Sequence, residues 1–153
     1  MPLTAGSKLR EHSFARGLAD AQVASLAAIA TPVSFEENQI ILADREQSSA
    51  FYFVISGSVA IELRATRYAV CIQALDAGQV FGWSALLNHQ DTLFQVRARE
   101  EVTALRIAAD DLKALCRRDP VLGTELLQRT LQVVASRVRA TEERFAEMCG
   151  VKI

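Results

Sequence analysis

From residue 33 to residue 107 the chain is a succession of short apolar runs, rich in β-branched and aromatic residues. Turn residues interrupt it every ~8–12 positions, the spacing of an all-β sandwich or barrel. The runs are 33–35, 39–42, 50–56, 58–64, 68–75, 79–81, 93–98 and 102–107. In 58–64, Val59, Ile61 and Leu63 alternate with Ala60 and Glu62. That is the period of a strand with one buried face. Gly57 and Gly78 stand at joints between runs, where the backbone must turn. Eight short strands so punctuated predict a double-sheet jelly roll, mainly β, with flanking helices.

The flanks follow a different period. Leu18, Val23, Leu26 and Ile29 recur at helical spacing, and Asp20 near the start suits the helix dipole. Pro32 ends this entry helix. Residues 1–12 are polar and read as a loosely ordered tail, His12 included. Beyond Ile107, residues 108–117 predict a short helix with Leu112 and Leu115 inward. Asp119 is a natural cap for a longer helix that opens at Pro120, reaches Met148 and stops at Gly150. Within it, Leu127, Leu131, Val134, Val138, Thr141, Phe145 and Met148 lie alternately four and three residues apart. This is the seam of a coiled coil. Leu122, Leu126 and Val133 lie on another face. The helix is expected to pack on its own roll through the second set and to offer the seam to a second copy. The competing reading packs the whole stripe inside one chain. Arg137, Arg139 and Arg144, interleaved with Glu142, Glu143 and Glu147, read as a solvated face. The chain thus divides into a tail (1–12), a roll with its entry helix (13–118) and a dimerisation helix (119–149).

Bulk properties exclude several classes. The 153 residues suffice for one domain with a sizeable core. A net charge of −1 sets up no global field to recruit nucleic acid or an anionic membrane. No apolar run approaches the ~18 residues of a membrane span, and the N-terminus lacks a signal-peptide apolar region. Cys71, Cys116 and Cys149 are odd in number and far apart, without disulfide or metal-like spacing. A reducing cytoplasm is the expected compartment. Cys71, in a strand, is expected to be buried and inert. Cys116 lies beside Arg117 and Arg118, which favour a thiolate if it is exposed. Cys149, at the end of the seam, can face its copy.

The stretch 81–98 carries the functional signal. Gly82 precedes a short helix-compatible run from Trp83 to Leu87, and a glycine there lets a ligand approach the backbone. Free N–H groups at such a turn favour an anion. Three further segments accompany it. Phe51-Tyr52-Phe53-Val54-Ile55-Ser56-Gly57-Ser58-Val59 forms a strand pair. Leu75-Asp76-Ala77-Gly78-Gln79-Val80-Phe81-Gly82 leads into the turn, and Val96-Arg97-Ala98 follows it. Together they resemble a cyclic-nucleotide-binding domain of the bacterial catabolite-activator/fumarate-nitrate-regulator type, over about residues 18–148. The resemblance implies a cassette in which a Glu receives the ribose hydroxyl, an Arg pairs with the cyclic phosphate, and backbone N–H groups complete the cradle.

In this chain Trp83 stands at the Glu position and Thr92 at the Arg position, while Leu93 and Phe94 replace small residues. Arg97 matches the family's strand arginine and, by alternation, points to the other face. The candidate ligand site is therefore Gly82, Trp83, Ser84, Ala85, Thr92 and Leu93, a cassette that keeps backbone donors and lacks both charges. The resemblance then implies a regulatory or sensory module with weak or no binding of cyclic AMP or cyclic GMP in the usual mode. Its ligand would be a cyclic nucleotide or another small anion. The alternative is a protein-interaction or scaffold module that has lost its ligand and serves an unidentified protein partner. Trp83 either fills the pocket or stacks on a flat ligand, and Ser84 caps the short helix or meets an anion. His89 and Asp91 share a polar loop, yet no nucleophile accompanies them, so no enzyme, catalytic residue or metal site is expected. The family's transcription factors continue into a helix-turn-helix. Only residues 149–153 follow the long helix, so direct DNA binding is not expected. The cysteine cluster of the family's iron–sulfur members is also missing.

Overall fold

The computed structural model describes residues 4–88 and 90–152. Helices α1 (Ala5–Glu11) and α2 (Asp20–Ile29) precede eight strands. These are β1 (Ala30–Phe35), β2 (Ile40–Leu42), β3 (Ala50–Ser56), β4 (Val59–Arg64), β5 (Ala69–Leu75), β6 (Val80–Phe81), β7 (Phe94–Ala98) and β8 (Val102–Ala108). Helices α3 (Ala109–Arg118) and α4 (Pro120–Met148) follow. The strands form two antiparallel four-stranded sheets, ordered β1-β8-β3-β6 and β2-β7-β4-β5. The jelly roll predicted from the strand spacing is the fold observed.

β3 shows why the first sheet holds the molecule together. Its run Phe51–Phe53–Val54 is apolar at successive positions because both of its faces are covered. Phe51 and Phe53 pack outward with Leu105 and Ile107 of β8 against Leu26, Leu115, Leu122 and Leu126 of the helices. Tyr52 and Val54 point inward, where they meet Val59 and Ile61 of β4 and Val96 of β7. Inside the roll the rings of Tyr52 and Phe81 stack 4.7 Å apart, 8° from parallel.

At α4, Asp119 accepts a hydrogen bond from the Leu122 N–H and Pro120 opens the helix, as its sequence predicts. Leu122 and Leu126 enter the outer core. Leu127, Leu131, Val138, Phe145 and Met148 are exposed, so the seam is not absorbed within the chain.

Two expectations are corrected. Residues 4–12 are not a loose tail. Thr4 caps α1 by accepting from the Ser7 N–H, α1 packs on α2, and Leu9 is fully buried in the outer core. One apolar residue among polar ones makes no periodicity, so the sequence carries little sign of this anchor. Cys71 is half-buried rather than buried, because β5 is the edge of the second sheet.

Candidate ligand-binding site

The turn after β6 is built around Gly82, which sits in the left-handed region at φ 83°. A Cβ there would lie 2.5 Å from the Ala50 carbonyl oxygen and 3.0 Å from Ser48 Oγ. Both the conformation and the space demand glycine. A single 3-10 turn, Trp83–Leu86, follows, closed by the Ala85 N–H donating to the Gly82 carbonyl at 3.0 Å. A neighbouring loop fixes it. The Ser48 N–H donates to Ser84 Oγ at 2.9 Å, and the Gln47 amide donates to the carbonyls of Ser84 and Leu87. Ser84 thus anchors the turn to the 47–48 loop and does not cap it as expected, since the capping position is Gly82 and no side chain caps the turn.

Gly82, Trp83, Ser84 and Thr92 line one small cavity with Phe81, Phe94, Ile61 and Val96 of the roll interior. Two members of the expected site lie elsewhere. Ala85 is fully buried in packing and does not reach the cavity, and Leu93 is 59% exposed and turned outward. Trp83 lines this cavity and also packs against the outer core beside Leu86. The space left is about 30 Å³, close to one water molecule's share of the liquid.

The positive group at this cavity comes from an unexpected element. Arg137 of α4 is only 6% exposed and lies on the lining. It is not part of the solvated face on which Arg139 and Arg144 pair with Glu143 and Glu147. Its Nε donates to Gln73 Oε1 of β5 at 2.8 Å, and the Gln73 amide in turn donates to Ser136 Oγ at 3.1 Å. Its Nη2 is buried without a hydrogen-bond partner, as is Thr130 Oγ1 on the same helix. Burial lowers the guanidinium to about 10, so it remains charged at neutral pH. No salt bridge to Arg137 occurs among the described residues. The one carboxylate on the lining, Glu46, is exposed. Arg137 also lines a second, larger recess of about 360 Å³ between β5, β6 and α4, with Phe14, Leu75, Val80 and Val133. The signal for this arginine is helical spacing. Leu122, Leu126, Thr130, Val133 and Arg137 make one inward stripe, which the alternation of arginines with glutamates masks.

The remaining candidates separate cleanly. Arg97 is turned away from the cavity, as alternation predicts, and pairs with Glu62 at 2.9 Å. His89 lies outside the described residues, and Asp91 is exposed. Burial, with Asp119 nearby, pushes the Cys116 thiol up, against the thiolate that Arg117 and Arg118 suggest. Among the described residues no cluster of three or more His, Cys, Asp or Glu is arranged to hold a metal ion, and no helix is long and apolar enough to cross a membrane.

Comparison with known proteins agrees with this fold. The family model of the cyclic nucleotide-binding domain matches residues 32–119, more than half of the chain. Among solved structures, a cyclic nucleotide-binding domain from Methylobacillus flagellatus KT superposes with a TM-score of 0.77 at 16% identity, covering 94% of this chain and 82% of that one. The regulatory subunit of a cAMP-independent protein kinase A from Trypanosoma brucei superposes at 0.72 and 19% identity, covering 92% of this chain and 48% of that one. That structure is a triple mutant, one change being threonine to arginine, bound to cAMP. Among curated proteins, Glutaminase 1 of Bradyrhizobium diazoefficiens is 27% identical over 132 residues. Those residues are 86% of this chain and 21% of that protein, so the chain spans about a fifth of its length.

Proposed function

The chain belongs to the cyclic nucleotide-binding domain family, and from that premise we propose that it is a regulatory, ligand-sensing module whose pocket no longer takes cyclic AMP or cyclic GMP in the family's usual way. One observation carries this reading: Trp83 and Thr92, at the positions of the family's Glu and Arg, both line a cavity of only about 30 Å³. An arginine–phosphate fork and a carboxylate–hydroxyl bond are the charge-assisted contacts that make such a pocket selective. Without them, a cyclic phosphate at the cassette turn would leave water without the arginine fork and the carboxylate that replace its hydrogen bonds there. Pockets that enclose ligands of nucleotide size are about ten times larger.

The module acts as a homodimer through the exposed apolar seam of α4, in the cytoplasm, and passes its signal by moving α4 against the roll. A ligand with unequal affinity for two positions of α4 shifts the balance between them. The second reading, a scaffold without a ligand, draws on the same small cavity. Titration with cyclic AMP and cyclic GMP, followed by the fluorescence of Trp83, the only tryptophan, tests the proposal. No saturable change is expected up to about 1 mM, a Kd that corresponds to about −4 kcal/mol. Saturation in the micromolar range would overturn it.

A further inference from the structure

We propose that the guanidinium of Arg137 is an anion-binding group on the larger recess between α4 and the roll, and that it takes a small oxyanion there, a carboxylate or a phosphate. The inference rests on the reading of the roll as a sensing module and names its ligand class. Three observations meet at this residue. Arg137 is buried, it stands on the shared wall of the two cavities, and Nη2 has no partner. A buried charge is costly unless it is both paired and hydrogen-bonded. Here the hydrogen bond to Gln73 satisfies Nε and leaves the charge without a counterion. A planar guanidinium offers parallel N–H groups that match the two oxygens of an oxyanion. The other arginine on the larger recess, Arg129, is already committed: Nε pairs with Glu125, and Nη1 donates to the carbonyls of Phe14 and Arg16.

The position of the group adds a regulatory consequence. The polar contacts holding this stretch of α4 to β5 come from Ser136, Arg137 and Arg144, the last donating to the Cys71 carbonyl at 3.0 Å. An oxyanion in the recess between α4 and the roll would complete the hydrogen bonding of Arg137 and so favour the docked position of α4.

The test titrates the full chain with sodium acetate and with inorganic phosphate, at constant ionic strength, following Trp83 fluorescence and thermal melting. At least one of the two should give a saturable fluorescence change and a dose-dependent rise in Tm. Arg137→Met should weaken that response at least tenfold while melting no lower than the unliganded parent. If Arg137→Met fails to fold, Arg137→Lys, which keeps charge and loses the fork, should show a reduced affinity. Absence of any response in the parent overturns the site, as does a response that survives both substitutions. A response seen only in Glu46→Gln also overturns it, because Glu46 would then be the counterion. Cyclic AMP, titrated alongside, separates the two readings. Its tight binding would sink the proposed function, whereas failure of both oxyanions sinks Arg137 alone.

Discussion

His12 has both ring nitrogens engaged, with Nε2 donating to the Val54 carbonyl at 3.0 Å and Nδ1 accepting from the Phe14 N–H at 3.2 Å. Only the neutral ring fits, since a proton on Nδ1 would face another donor. Burial accordingly holds its pKa below the usual 6.5. The folded state resists a proton that the unfolded state accepts, so its contribution is intact above pH 6.5 and declines as pH falls below that value. Thermal melts between pH 7.5 and 5.5 should show the parent losing stability faster than His12→Gln; equal slopes would remove His12 from the account. Gly82 makes a second prediction at this scale. Gly82→Ala forces a left-handed alanine against the Ala50 carbonyl and should cost at least about 1–3 kcal/mol in denaturant unfolding. Single residues were unevenly legible in the sequence. Gly82, Trp83 and Thr92 could be placed because they fall in a motif with fixed order. His12 and Arg137 were not placed, because their partners are 42 and 64 residues away and the inward stripe that holds Arg137 is masked by the alternation of arginines with glutamates.

Among the elements, the long helix is the best read and α1 the worst. The predicted bounds of α4 match because a cap, a proline and a sustained apolar period all agree. Those of α1 were invisible because one leucine anchors seven residues. The strands were legible from alternation and turns, with most ends shifting by a residue; β1 departs most, since it starts at Ala30 rather than at residue 33 and holds Pro32 within the strand instead of at the end of the helix. The unpaired seam of α4 supports a prediction. Leu131 is 66% exposed in the single chain, so Leu131→Asp should leave the fold intact. If α4 joins two copies, a charge in the seam should also halve the mass seen by light scattering. Val134→Asp, half-buried in the same seam, should do the same. A parent that is already monomeric, or variants of unchanged mass, would remove the dimer.

At the scale of the whole molecule, the roll and the cassette turn form the frame of a cyclic nucleotide-binding domain, and Trp83 and Thr92 line its small inner cavity. The fold could be read because eight strands, two sheets and their turns constrain each other over the whole chain. The chemistry of the site was legible only in part, because its remaining cation arrives from a helix far away in sequence. The most direct measurement is isothermal titration calorimetry of cyclic AMP into the parent and into Trp83→Glu/Thr92→Arg. The double variant opens volume at position 83 and restores both charges. No saturable heat is expected for the parent, and a Kd below about 0.1 mM for the variant, a gain of more than about 1.4 kcal/mol. Tight binding by the parent, or a correctly folded variant that still gives no heat, would contradict the proposed function.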